Sequence, residues 1–248
     1  SAGLIASAGI IAPVIPPSIG FVIFGVAGNV SISKLFMAGI VPGIMLGASL
    51  WMTWWWLARR EVVQVPPRKS MGEIMVAMRE ATWALVLPLI VVFGLKFGVF
   101  TPTEAAVVAA VYALLISTLI YRELGLKDLY PLFVNSAKTS AIVMFLVAAA
   151  MVSAWLITVA NLPAQLIELL QPLLDSPRLL MLTIMVITMV VGTALDMTPT
   201  ILLLTPVLMP VVKAAGIDPV YFGVLFIINN AIGLITPPVG MNVFIISS

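Results

Sequence analysis

An all-α polytopic membrane protein is the fold class that the sequence predicts, and three observations predict it. Of the 248 residues, 62% are hydrophobic and only 9% are charged, against roughly 45–50% apolar and 25% charged usage in soluble domains. Mean hydropathy is +1.21. Apolar runs long enough for a helix to cross a hydrocarbon core of about 30 Å recur along the chain, separated by short polar connections. The twelve Lys and Arg gather in those connections, so the net charge of +2 reads as membrane orientation and not as a nucleic-acid surface. The chain has no Cys and no His, which excludes disulfides, thiol nucleophiles, zinc sites and imidazole chemistry. Carboxylates, hydroxyls, amides and backbone groups remain to carry function.

In order along the chain, Leu35 to Leu57 predicts a full span. It ends in Trp51, Trp54, Trp55 and Trp56 followed by Arg59 and Arg60, as expected of a helix meeting a cytoplasmic headgroup layer. Residues 58–84 carry five basic residues around Pro66 and Pro67, and Ser70 to Ala84 predicts an amphipathic helix on the membrane surface. Leu85 to Phe100 then runs outward. The turn at 101–104 has no basic residue, and Ala105 to Tyr121 returns to a basic loop containing Arg122, Lys127 and Lys138. Thr139 to Ala160 goes out again to a loop at 161–177 that lacks Lys and Arg, so each connection obeys the positive-inside pattern.

Leu179 to Val191 and Ile201 to Val212 are apolar arms of about 13 and 12 residues, roughly 20 Å each and short for ordinary crossings. Between them lies the stretch Gly192 to Thr200. This predicts a re-entrant hairpin entering from outside near Arg178 and returning near Lys213, Asp218 and Pro219. Non-helical backbone at membrane depth requires protein burial or a cavity. Val220 to Ile246 is long enough to cross but contains GLITPPVG from Gly233 to Gly240, where adjacent prolines force unwinding. The run 4–27 is interrupted likewise by GIIAPVIPPSI from Gly9 to Ile19. Aligning Ile15 to Ser18 with Thr236 to Val239 gives two similar broken helices of opposite direction, hence an inverted-topology repeat with a binding site at mid-membrane.

Broken helices present carbonyl ends that suit a desolvated cation and N–H ends that suit an anion. The candidate cation ligands are Gly192, Gly233, Thr236 and Val239 in the second repeat, with Ile15 and Ser18 at the matching positions of the first. Na⁺ is the natural occupant. Pro17, Ser18, Asp196, Thr198 and Pro237 are the candidates for touching substrate. Against this stands the simpler possibility that the prolines only kink helices. Asp196 is the one carboxylate expected at membrane depth, where charge is costly, although it equally suits an N-cap for the helix that follows. Thr193 and Thr200 add hydroxyls that also serve their own backbone. Glu104 reads first as an acidic residue in a helix start, Lys96 as a snorkelling lysine, and Asn229 and Asn230 as helix-packing amides. The methionines from Met181 to Met209 read as core.

These two stretches, together with ISKLFMAGIVPG from Ile32, GVFTPTEAA from Gly98 and GIDPVYFG from Gly216, resemble the large membrane subunit of the tripartite ATP-independent periplasmic (TRAP) transporters, with motifs in the same order across nearly the whole chain. The resemblance implies a sodium-coupled importer of small organic acids that works by an elevator movement in the bacterial inner membrane. It implies as partners a small membrane subunit, a periplasmic substrate-binding protein, the lipid bilayer and an organic-acid substrate. It also implies a hairpin before Ser1 and a helix after Ser248, the chain being the C-terminal three-fifths of such a subunit. On that basis residues 1–30 and 178–248 are assigned to the moving transport domain. Residues 31–84 form a scaffold helix and arm, and 85–177 are mainly scaffold helices. A binding-protein-independent transporter of related inverted-repeat fold is the alternative, and a purely structural subunit leaves the paired breaks unexplained. Enzyme activity is not expected, since a lone intramembrane Asp and the lack of His leave no proteolytic constellation.

Overall fold

Several of the described helices have proline at one of their first two positions, where its missing N–H costs nothing and its fixed φ is already helical. The computed structural model describes residues 7–59, 69–174 and 176–236. Among them the elements are α1 (Ile19–Gly28), α2 (Ile32–Ala58), α3 (Met71–Lys96), α4 (Pro102–Leu115) running into a π-helical turn (Ile116–Ile120), α5 (Leu126–Val159), α6 (Leu162–Leu169), α7 (Gln171–Leu174), α8 (Pro177–Ala194), α9 (Met197–Ala214) and α10 (Pro219–Gly233). Six helices are long and apolar enough to cross a membrane. The all-α polytopic expectation therefore holds. The chain divides into two compact units, one of Ser1–Trp51 with Ile142–Ser248 and one of Met52–Ala141.

In the first unit α10 packs on α8, α1 on α9, and α10 on α1. Its centre is aromatic. Phe24 stands 6.0 Å from Phe222 and 5.8 Å from Phe226, and those two stack at 5.4 Å, geometry worth about 0.5–1.5 kcal/mol per pair beyond area burial. All three rings are fully buried. Gly223 admits Phe24, since a Cβ there would lie 2.4 Å from the ring. Met181, Met197 and Met209 are buried as well, in agreement with the core reading of the methionines.

In the second unit α3 packs on α4. The Tyr112 hydroxyl donates to the Trp83 carbonyl at 2.8 Å and the Tyr121 hydroxyl to the Glu80 carbonyl at 2.7 Å. Between the two helices Gly98 takes a φ of +68°, and the Val99 and Phe100 amides both donate to Gly94 O. The faces of α3 and α4 are lined by exposed Leu85, Leu89, Phe93, Val107 and Val111, a surface suited to lipid. At the end of α2 the Arg59 guanidinium stacks over Trp55 at 3.6 Å, the arrangement expected of an interfacial anchor.

Several boundaries differ from the sequence expectation. No break separates Ala84 from Leu85: α3 starts at a capping box formed by Ser70 and Glu73 and continues through Pro88 to Lys96. The basic stretch before Thr139 is helical from Leu126 onward, with the Gly125 amide held by Asp128 at 2.9 Å. Polar residues end the membrane-embedded part of such a helix without ending the helix. The loop at 161–177 contains α6 and α7.

Candidate functional site

At the first predicted break, residues 7–9 are helical, turns follow, and α1 begins after Ser18. The peptide bond between Pro16 and Pro17 is cis. Ser18 takes extended backbone angles (φ −120°, ψ 125°), and its hydroxyl accepts from the Phe21 amide at 3.3 Å while donating to the Pro13 carbonyl. It is 2% exposed. One hydroxyl thus closes the turn and caps the helix. Ile15 is half exposed and packs its side chain against Gly43.

The two expected hairpin arms are helices joined by a short link, and both are longer than expected: α8 and α9 have 18 residues each, about 27 Å, enough to cross, so the shortness from which re-entry is expected is not found. The non-helical link shrinks from nine residues to Leu195 and Asp196. Gly192, Thr193 and Ala194 continue α8, the Thr193 hydroxyl donating to Val190 O at 2.8 Å. Thr198 and Pro199 fall in the first turn of α9, where proline is tolerated.

The structure brings Gly192 and Gly233 together. A Cβ built on Gly233 would lie 3.0 Å from the Gly192 carbonyl carbon and 3.2 Å from its oxygen. Gly192 is in the last turn of α8 and Gly233 ends α10, so two helix C-termini converge there. Carbonyls in last turns lack intrahelical donors and carry the negative end of the helix dipole. Thr236 follows at once, its amide donating to Gly233 O at 3.0 Å and its hydroxyl to Ile232 O at 2.8 Å. Pro237 and Val239 lie outside the described residues.

Two helix N-termini meet elsewhere in the same unit. A Cβ on Gly20, in the first turn of α1, would stand 3.2 Å from Met197 Sδ, at the start of α9. Asp196 occupies the N-cap position of α9 with extended backbone (φ −63°, ψ 161°), but its side chain makes no capping bond and is exposed. Its carbonyl accepts from both the amide and the hydroxyl of Thr200, at 3.2 and 2.8 Å. The capping role suggested for the Asp196 carboxylate is therefore not realised. Thr198 is half-buried beside it. A cavity of about 500 Å³ in this unit is lined by apolar side chains of α1, α5 and α9, among them Val22, Val26, Val147, Met151 and Leu202, which offers nothing to a carboxylate.

Asn230 is the residue whose part the sequence understated. The Asn229 amide ties α10 to α8 by donating to Met185 O at 2.7 Å, as a packing role requires. Asn230 is 0% exposed and donates to Met197 O at 3.4 Å, while its Oδ1 is buried without a hydrogen-bond partner. That oxygen lies 2.8 Å from where a Gly192 Cβ would be. The spacing was the available signal, because residues 230 and 233 share a helix face. Glu104 forms a reciprocal capping box with Thr101, in line with the helix-start reading, and Lys96 is exposed, with its ammonium 5.9 Å from the Phe97 ring.

Among the described residues no group of three or more Asp, Glu, His or Cys is placed to hold a metal. The acceptors at the Gly192–Gly233 contact are neutral carbonyl, carboxamide and hydroxyl oxygens. Such a donor set fits a hard monovalent cation such as Na⁺ and not a transition metal.

The family model of the tripartite ATP-independent periplasmic transporter, DctM component, matches residues 1–248. The chain belongs to this family. It is 59% identical over 247 residues to the 2,3-diketo-L-gulonate TRAP transporter large permease protein YiaN of Escherichia coli, covering 100% of this chain and 58% of that protein. It is 37% identical to the sialic acid TRAP transporter large permease protein SiaM of Vibrio cholerae (99% and 57% covered) and 36% identical to the C4-dicarboxylate TRAP transporter large permease protein DctM of Pseudomonas aeruginosa (100% and 58% covered). The chain thus spans 58% of the length of its E. coli relative. These relatives are transporter permeases of bacteria, and with six helices able to cross a membrane among the described residues the DctM-family chain fits a multi-pass inner-membrane protein.

Proposed function

We propose that this chain contributes residues of both repeats to the transport site in a sodium-coupled, binding-protein-dependent importer of small organic acids. The observation that carries the reading is the pairing of helix ends within one unit: two C-termini at Gly192 and Gly233, and two N-termini at Gly20 and Met197. Negative helix ends suit a cation and positive ends suit a substrate carboxylate. When bound, Na⁺ would supply positive charge at the first pair, held by Gly192, Gly233, Thr236 and Val239, with Ser18 and Ile15 serving the other repeat. Fixing Gly192 and Gly233 against each other fixes α8 and α10, and through them the link that carries Asp196 and starts α9. Substrate and cation would thereby strengthen each other's binding.

Pro17, Ser18, Thr198 and Pro237 are assigned to the substrate side. The exposed Asp196 carboxylate would oppose a second anion, so its role there is to accept from a substrate hydroxyl or amide. The names of the relatives, covering diketogulonate, sialic acid and C4-dicarboxylates, support an organic acid as the substrate class. A small membrane subunit and a periplasmic substrate-binding protein are the partners this reading requires. Movement of the 1–30 and 178–248 segments against the remaining helices, as an elevator, would change access.

Uptake by the complete transporter in proteoliposomes, with and without an inward Na⁺ gradient and with and without the binding protein, tests this. Uptake that requires both is expected. Sodium-dependent uptake without the binding protein would instead favour a binding-protein-independent carrier, and sodium-independent uptake would remove the coupling.

A further inference from the structure

Asn230 lies one turn before the end of α10, on the face that meets α8. Its carboxamide is oriented by its surroundings: the nitrogen faces the Met197 carbonyl at 3.4 Å, and the opposite orientation would set oxygen against oxygen. Oδ1 is thereby directed at Gly192, buried and without a partner. Buried acceptors in that condition are rare and call for an explanation. No backbone donor reaches it, and the last turns of α8 and α10 on either side of it end in carbonyls. Glycine at 192 keeps the space before Oδ1 open, since a Cβ there would stand 2.8 Å from it.

We propose that Asn230 Oδ1 is itself a ligand of the cation held where Gly192 meets Gly233, and that the Asn230 amide links that cation to Met197, the first residue of α9. The inference rests on the cation reading above and adds a side chain to it. A positive ion satisfies the carboxamide oxygen and the converging carbonyls together. The donated bond to Met197 then makes the start of α9, beside Asp196, sensitive to whether the ion is bound. Asn230 is in this sense both a ligand and a positioning residue for the hairpin link.

The test is the thermal unfolding midpoint of the complete transporter in detergent, titrated with NaCl at constant ionic strength made up with choline chloride. The wild type is expected to be stabilised by Na⁺ and not by choline. Asn230→Ala should unfold cooperatively in choline yet need about tenfold more Na⁺ for half of the stabilisation, the ratio that corresponds to about 1.4 kcal/mol. An unchanged Na⁺ midpoint in that variant, with the wild type responding, overturns the assignment of Asn230 and leaves the cation reading intact. No sodium response in the wild type overturns both. Should Asn230→Ala fail to assemble, Asn230→Asp decides, since it keeps an oxygen facing the ion and gives up only the bond to Met197: an Na⁺ midpoint lowered by about threefold or more supports the ligand, and an unchanged or raised midpoint overturns it.

Discussion

Gly233 and Gly192 meet backbone to backbone, so close that a Cβ on Gly233 would stand 3.0 Å from the carbonyl carbon, 3.1 Å from the Cα and 3.2 Å from the oxygen of Gly192. All three atoms belong to the main chain, which cannot swing aside as a side chain can. Gly233→Ala should therefore push α10 away from α8 and cost about 1–3 kcal/mol of stability. Gly192→Ala meets first the Asn230 carboxamide, at 2.8 Å, and that group can move. The expected order in thermal unfolding is wild type, then Gly192→Ala, then Gly233→Ala, with sodium-driven uptake lowered in both variants. Equal stability of Gly233→Ala and wild type would overturn the role of this contact in holding α8 against α10.

Ser18 holds its break together with one hydroxyl that donates to the Pro13 carbonyl and accepts from the Phe21 amide. Ser18→Ala removes both bonds and should cost about 0.5–2 kcal/mol, the range for loss of a helix cap. If the same oxygen also meets a cation, the sodium concentration for half-maximal uptake rises in parallel. Lower thermal stability with an unchanged sodium requirement would confine Ser18 to the cap.

Helix positions were legible in this sequence, and helix ends were less so. The apolar runs marked α2, α4 and the hairpin arms, and the two Pro-Pro stretches marked where helices must stop. Single prolines elsewhere do not stop helices: Pro42, Pro88, Pro131, Pro206 and Pro210 all lie within them, because neighbouring helices and hydroxyls in a bundle can take up the carbonyls that proline leaves free. Charge misled at residues 126–138, since a change in polarity along a helix records the membrane boundary and not the end of the backbone pattern. Gly192 and Gly233, 41 positions apart, each stand at a break that the sequence marks, but their backbone contact is a product of how α8 and α10 pack. The direction of the Asn230 side chain depends on three helices at once, and no local pattern contains it.

Thr101 and Glu104 bond reciprocally: the Thr101 amide and hydroxyl each donate to Glu104 Oε2 at 2.8 Å, and the Glu104 amide donates to the Thr101 hydroxyl at 3.3 Å. Both groups are committed to the start of α4. Thr101→Ala should destabilise by about 1 kcal/mol without altering the substrate concentration needed for half-maximal uptake. Glu104→Gln, which keeps an acceptor, should be milder. A change in apparent substrate affinity in either variant would give Glu104 a part in binding beyond the cap.

Asn229 and Asn230 are adjacent yet placed for different work, and their variants should separate cleanly. Asn229 donates at 2.7 Å to Met185 O, a carbonyl inside α8, and is half-buried. Its bond joins two helices that are already packed. Bonds of this kind between membrane helices are worth about 0.6 kcal/mol on average and seldom more than about 1.7. Asn229→Ala should lower thermal stability by about that amount and leave the sodium midpoint unchanged. Asn230→Ala should do the reverse, changing the sodium midpoint more than the stability measured in choline. A shift of the sodium midpoint in Asn229→Ala equal to that in Asn230→Ala would mean that loosening α8 from α10 anywhere weakens the site, and the effect would then belong to the helix contact and not to the carboxamide oxygen.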